Sequence, residues 1–474
     1  MSAVRFGSDG WVGRFEEDFS DEAVRSIAES LGLLLSEEAE GSTVYVGYDT
    51  RRGARRHAEL VAGCLAASGL RAVLSQDPCP TPAVGWTVAR DDDACAGVVV
   101  TASNRPGDCQ GVLFRMQDGS RPTGDVIRRL EDLVPGEPSL EPAPFETRDL
   151  TAPYLAALAE AVDADAIRAA GLRVVVDPLY GAGSGWLAGL LRDLGCEVDE
   201  IHVAEADGDY HGFSPDPCEP WVDGCQQRVR STDACAGFVL DGDGDRSGAI
   251  DADGAFLAPA RMVPLVLRHL VEGRGAAGRV VATVSSSALV RRMAERLGCP
   301  LTVVPIGFRN IYEEMCEGDV VCGVEEYGGI AIPDHLMERD GLLSVLLLVE
   351  LMATTGKSLA ELVAETEAEL GRMEYRRVDI RIEVGTIQSL RNVLPGVNPP
   401  EVCGMVPEAV SHVDGLYLRF GDGSWMLMRP SRTEPVVRVY GEAPTVAARD
   451  ALVSAGCAIC RAGGMPEGEG EPEE

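Results

Sequence analysis

Three times along this chain a short β-branched run gives way to an amphipathic helical stretch: 43–48 with 55–68, 172–176 with 186–194, and 279–284 with 288–297. The first of these returns to another strand over 71–74, which completes a β-α-β unit. Strands joined through helices pair in parallel and are covered on both faces, so the recurrence dictates α/β layers in series. At 474 residues the chain is also too long for one compact core. Four prolines without periodicity over 134–146 mark a linker and a boundary near 147. A second boundary rests on the Asp-Ala-Asp-Gly turn that ends at Gly254. After Met373 the pattern changes to strand-like alternation over 375–384, 415–420, 424–428 and 436–440, closed by a helix. The expected domains are 1–146, 147–253, 254–372 and a smaller α+β domain over 373–462. Residues 463–474, almost wholly Gly, Pro and Glu, are expected to be a disordered acidic tail.

Charge excludes some partners. The chain has 42 basic and 76 acidic residues, a net charge of −34 that repels nucleic acid. The longest apolar run, 342–352, is interrupted by Ser344 and Glu350. It falls well short of the roughly 20 residues that cross a bilayer, so no membrane span is expected. No secretory signal is read in the first residues, and the expected location is the cytoplasm. Fourteen scattered cysteines offer one close pair, Cys457 and Cys460, within a helical stretch, so buried thiols are a better reading than a zinc site. Lys357 is the single lysine; an anionic ligand must be held by arginine, backbone N–H groups or a metal.

The strongest chemical signal is a buried strand ending in Asp241-Gly-Asp243-Gly-Asp245-Arg246. Three carboxylates at alternate positions repel one another and call for a hard cation such as Mg²⁺. An EF-hand fails because Arg246 and Ala252 stand where it needs Gly and Glu. A second strand ends in Thr101-Ala-Ser103, where the serine can act as a nucleophile or phosphate carrier, or simply cap a turn. Arg429-Pro-Ser431-Arg-Thr433-Glu-Pro, with Arg438 downstream, carries the equipment for gripping a phosphate monoester. Glu325 and Glu326 lie on a glycine-flanked loop able to accept hydrogen bonds from sugar hydroxyls. The loop Gly181-Ala-Gly-Ser-Gly185 is a weak anion-binding signal, and Gly356-Lys357-Ser358 reads as a helix C-cap rather than a P-loop.

Together and in this order, these segments resemble the alpha-D-phosphohexomutases, especially phosphoglucomutase/phosphomannomutase proteins. Further points of resemblance are Phe6-Gly-Ser-Asp-Gly-Trp11, Val46-Gly-Tyr-Asp-Thr-Arg51, Asp177-Pro-Leu-Tyr-Gly181, Pro305-Ile-Gly-Phe308 and the stretch from His335 to Gly341. The resemblance implies three α/β domains plus a C-terminal α+β domain around a central cleft, each supplying one part of the site. It implies that Ser103 carries the phosphoryl group and that Ser103, Asp241, Asp243 and Asp245 hold Mg²⁺. Arg246 is implied beside the transferring phosphate, and His335 is the remaining acid/base candidate or a structural histidine. Glu325, Tyr327, Arg309, Arg429, Ser431, Thr433 and Arg438 are implied to bind the substrate. The implied partners are a hexose phosphate and a hexose 1,6-bisphosphate activator, acting on a monomer or small homo-oligomer. Departures from the family pattern are Val12, Asn104 and Leu113, which remove an imidazole and two cations, Tyr327 in place of a serine, and Arg432 in place of a glycine. These leave two alternatives, a weak or inactive sugar-phosphate-binding paralogue and a phosphoglucosamine mutase, the latter disfavoured by Glu325-Glu326.

Overall fold

A computed structural model describes residues 4–463 except 16, 40, 206–207 and 432–434. The expected tail therefore lies, apart from Gly463, outside the described residues.

Four sheets follow one another along the chain. The first runs Gly10–Arg14, Cys109–Met116, Ala94–Val100, Thr43–Tyr48, Arg71–Ser75, Glu146–Arg148. The second runs Phe256–Leu257, Ser247–Asp251, Ala236–Leu240, Arg173–Asp177, Glu197–Glu200, and the third Leu301–Val304, Arg279–Thr283, Val320–Val324, Ile330–Ile332, Leu336–Arg339. Each contains a parallel core, and every residue of Thr43–Tyr48 and Ala236–Leu240 is buried. That burial on both faces explains why these strands read as continuous apolar runs instead of alternating. The last sheet is wholly antiparallel, in the order Glu374–Arg381, Val436–Ala443, Trp425–Pro430, Leu416–Arg419, Ala409–Ser411, and Val446–Arg461 packs on it.

One topological feature positions the site. In each of the first three sheets a strand of the parallel core turns straight back into an antiparallel neighbour: Ala94–Val100 into Cys109–Met116, Ala236–Leu240 into Ser247–Asp251, Val320–Val324 into Ile330–Ile332. The turns are 101–108, 241–246 and 325–329. The serine, acidic and glutamate loops thus occupy the same place in three equivalent layers.

The apolar run becomes the helix Gly341–Thr355, buried from Gly341 to Met352 and ended by Gly356 at φ 66°. No single described helix is long and apolar enough to cross a membrane. The strand expected over 375–384 stops at Arg381, and Val384–Val393 is helical. Ile387, Leu390 and Leu394 recur at helical spacing and all enter the last core, which overrides the strand reading. The cysteines are free thiols; most are buried or half-buried, but Cys316 and Cys403 are exposed.

Candidate active site

Ser103 is held in a left-handed backbone conformation, φ 51°. Its N–H donates to Thr101 Oγ1 (2.9 Å), and that hydroxyl donates to Asp49 (2.6 Å). Arg51, fully buried, pairs with Asp49 (2.9 Å) and donates to the carbonyls of Ser103 (2.7 Å), Arg105 (2.7 Å) and Pro106 (2.6 Å). One guanidinium therefore fastens the loop by its main chain. Ser103 Oγ itself meets Arg246 Nη1 at 3.3 Å.

Arg246 is equally tied to the acidic loop. Its main-chain N–H reaches Asp241 Oδ1 (3.1 Å) and its Nη1 reaches Asp241 Oδ2 (3.0 Å). Asp241, Asp243 and Asp245 are buried, and their oxygens lie within 4.8 Å of one another. Thr81 donates its hydroxyl to Asp243 (2.7 Å). Burial, then the neighbouring carboxylates, raise Asp241 well above the usual carboxylate range and push Asp245 up to about 7. One oxygen each of Asp243 and Asp245 is buried without a hydrogen-bond partner. Clustered anionic oxygens with unsatisfied lone pairs fit a hard divalent cation.

Two buried arginines that the sequence reading did not assign complete the charge balance. Arg339 pairs with Asp245 and, at 2.6 Å, with Glu325. Arg121 pairs with Asp245 (3.3 Å), Glu338 (2.6 Å) and Asp9 (3.0 Å). The Phe308 ring lies beneath both guanidiniums, 5.3 Å from Arg339 and 5.8 Å from Arg121. Val12 and Leu113 are strand residues opposite Gly111 and Gly10. Arg14, the nearest arginine to Val12 in sequence, is engaged on the surface with Asp108 (2.7 Å). Burial, then Glu326, push Glu325 up to about 8 despite its arginine neighbours. Glu326 accepts from Ser285 (2.8 Å), and the Tyr327 ring packs under Arg377 at 4.8 Å.

The structure thus joins Ser103, Arg246, Asp241, Asp243 and Asp245 directly, and Glu325 through Arg339. Arg429 and Arg438 sit opposite each other on neighbouring strands of the last sheet. Arg429 pairs with Asp414 (2.8 Å), whose carboxylate also takes the Ile306 N–H (2.9 Å). Arg438 Nε lies 3.8 Å from Asp379 and is buried without a hydrogen bond among the described residues. Ser431 accepts from Arg391 at its carbonyl, while Thr433 and Arg432 lie outside the described residues. Two expected site residues are engaged with other side chains. Arg309 is exposed and paired with Glu313 (2.9 Å). His335 Nε2 meets Asp340 (2.9 Å), and the residue lines a different cavity, of about 860 Å³, with Trp86, Arg90 and Arg274. Tyr154 donates to the same Asp340 (2.8 Å), which also caps the buried helix; these contacts fit the structural reading of His335.

Comparison with known proteins agrees with this geometry. Residues 3–140, 152–254 and 259–369 match the phosphoglucomutase/phosphomannomutase alpha/beta/alpha domains I, II and III, and 404–455 match the C-terminal domain. The Phosphoglucomutase/phosphomannomutase of Thermococcus kodakarensis is 30% identical, over 92% of this chain and 94% of that protein. The phosphoglucosamine mutase of Limosilactobacillus fermentum is 29% identical, over 96% and 97%. A crystal structure from Thermus thermophilus, described as a phosphomannomutase, aligns with a TM-score of 0.87 at 32% identity, covering 97% of this chain and 99% of that one. The chain belongs to the phosphoglucomutase/phosphomannomutase family and is a phosphohexomutase, an isomerase of carbohydrate metabolism.

Proposed function

We propose that this protein interconverts the 1-phosphate and 6-phosphate of glucose or mannose through phosphorylated Ser103 and a hexose 1,6-bisphosphate. The observation that carries this reading is the Arg246 guanidinium, set between Ser103 Oγ (3.3 Å) and Asp241 (3.0 Å). In the first step a substrate hydroxyl attacks phosphorus and the bond from phosphorus to Ser103 Oγ breaks. The bisphosphate turns over, and Ser103 Oγ takes the other phosphoryl group back. Arg246 donates to the oxygens that carry charge in both directions. Asp241, Asp243 and Asp245, with a phosphate oxygen on Ser103, would hold Mg²⁺, which when bound neutralises charge on the transferring phosphoryl group.

Asn104 cannot relay a proton. Glu325, raised to about 8, changes protonation near neutral pH and takes or returns the sugar hydroxyl's proton. Arg429, Ser431, Thr433 and Arg438 grip the phosphate that does not react. The substrate is a charged cytoplasmic metabolite, and the working unit is a monomer or small homo-oligomer. A coupled glucose 1-phosphate assay with bisphosphate activator and Mg²⁺ tests the proposal, together with intact-mass detection of phosphate on Ser103. Turnover in Ser103→Ala equal to that of the unaltered protein overturns it. An amino-sugar phosphate is the second reading, favoured by the phosphoglucosamine mutases among the relatives. Competition between glucose and glucosamine phosphates separates the two.

A further inference from the structure

Arg291, Arg292 and Arg419 wall a cavity of about 410 Å³ between the third sheet's domain and the antiparallel sheet. Arg292 donates to the Leu370 carbonyl (2.8 Å); the side chains of Arg291 and Arg419 have no hydrogen-bond or ion-pair partner among the described residues. In a chain with 76 acidic and 42 basic residues this is unusual. Elsewhere single arginines collect two carboxylates each, as Arg173 does with Glu197 and Asp233, and Arg296 with Glu272 and Glu369. Here three guanidiniums gather with Glu295 as the one acid in the lining.

The cavity is built, not incidental. It runs along the strand Leu301–Val304 from its first residue and reaches the end of Arg279–Thr283 at Ala282 to Val284. Its opposite wall is the stacked pair Tyr417 and Trp425, centroids 5.6 Å apart at 29°. Trp425 is fixed by donating its ring N–H to Glu442 (2.6 Å). Glu442 also takes the Ala288 N–H (2.7 Å), so the first N–H of the helix Ala288–Leu297 is already satisfied and the arginines supply the positive charge. Gly423 lies beside them at φ 84°, a left-handed conformation that favours glycine. No residue of the serine, acidic, glutamate or 429–438 segments lines this space.

We propose that this cavity is a second ligand site, which takes a small organic phosphate. Its phosphate is gripped by Arg291, Arg292 and Arg419, and its planar or apolar face lies against Tyr417, the half-buried ring of the stacked pair. A nucleotide and a non-substrate sugar phosphate share this chemistry. Calorimetric titration of the full chain with AMP and with ribose 5-phosphate distinguishes them. The expected result is that at least one binds, and that Arg291→Gln with Arg419→Gln weakens it by about tenfold or more, a loss appropriate to charge-assisted bonds. Arg419→Glu alone, at an exposed position, gives a loss in the same direction. Arg429→Gln leaves the affinity unchanged, and the paired variant keeps the melting temperature and basal mutase rate. Binding of AMP alone identifies a nucleotide site, and of ribose 5-phosphate alone a sugar-phosphate site. The proposal is overturned if neither binds, if binding survives the paired variant, or if it is lost in Arg429→Gln.

Discussion

Gly242 lies against Ser103 so closely that a β-carbon on it would sit 2.4 Å from the Ser103 carbonyl oxygen. The acidic loop and the serine loop are therefore set by backbone contact, and any side chain at this point must push them apart. Gly242→Ala is expected to lower kcat by about 100-fold, the scale for misplacing reacting groups by an ångström. Steady-state kinetics at saturating substrate and Mg²⁺ check this; an unchanged kcat would show that the spacing of the loops does not matter.

Arg339 is buried between Asp245 and Glu325, one acid from each of two domains. Removing it in Arg339→Met leaves both acids facing each other without their shared cation. The expected destabilisation is about 3–5 kcal/mol, the range for breaking a buried ion pair from one side. Arg339→Lys should recover only part, because one ammonium lacks the planar fork that reaches two carboxylates. Denaturant unfolding of the three proteins measures the difference.

The loops could be read from sequence because each is a short polar string at the end of a buried apolar strand, as Asp241 to Arg246 is after Ala236–Leu240. The residues that fasten the loops could not. Arg51 falls inside the family-like stretch from Val46, but its hold on Ser103 through main-chain carbonyls leaves no local pattern, nor does the reach of Arg121 to Asp245 across 124 positions. Arg339 falls inside the family-like stretch from His335 to Gly341, yet only its burial between two acids gives it a role. The glycine run at 181–185, a weak anion-binding signal in the sequence, has a packing role. Ala182 donates its N–H to the Gly242 carbonyl (2.9 Å), and a β-carbon on Gly181 would lie 2.7 Å from the same oxygen. Its small residues thus let one loop pack on another.

The three aspartates make the acidic loop a point where cation binding and folding are linked. Buried carboxylates with oxygens within 4.8 Å repel one another until a cation or a proton neutralises them. Mg²⁺ should therefore raise the melting temperature and EDTA should reverse it. At 100 times its Kd, a cation that binds only the folded state adds about 2.7 kcal/mol. In Asp243→Asn with Asp245→Asn the Mg²⁺-dependent shift should vanish. Differential scanning fluorimetry with and without Mg²⁺ reads this, and a shift that persists in the paired variant would place the cation elsewhere.

Acid sensitivity should arise in part far from the cleft, at Glu350 in the buried helix. Its carboxylate meets His269 Nε2 (2.7 Å) and the Asp163 N–H (2.8 Å), with Arg274 at 3.9 Å. Burial alone would raise its pKa, but the hydrogen bonds from His269 and Asp163 and the charge on Arg274 outweigh that and hold it below the ordinary 4.5. As pH falls, the unfolded chain therefore takes up the proton first. The stability from this carboxylate is fully present above about pH 4.5 and is lost as the pH drops through the folded-state value. Glu350→Gln removes the titrating group. The unaltered protein should exceed it in unfolding free energy at roughly pH 7, and the gap should narrow steadily towards roughly pH 3. Urea unfolding at a series of pH values tests this, and a gap that widens on acidification would contradict the assigned sign.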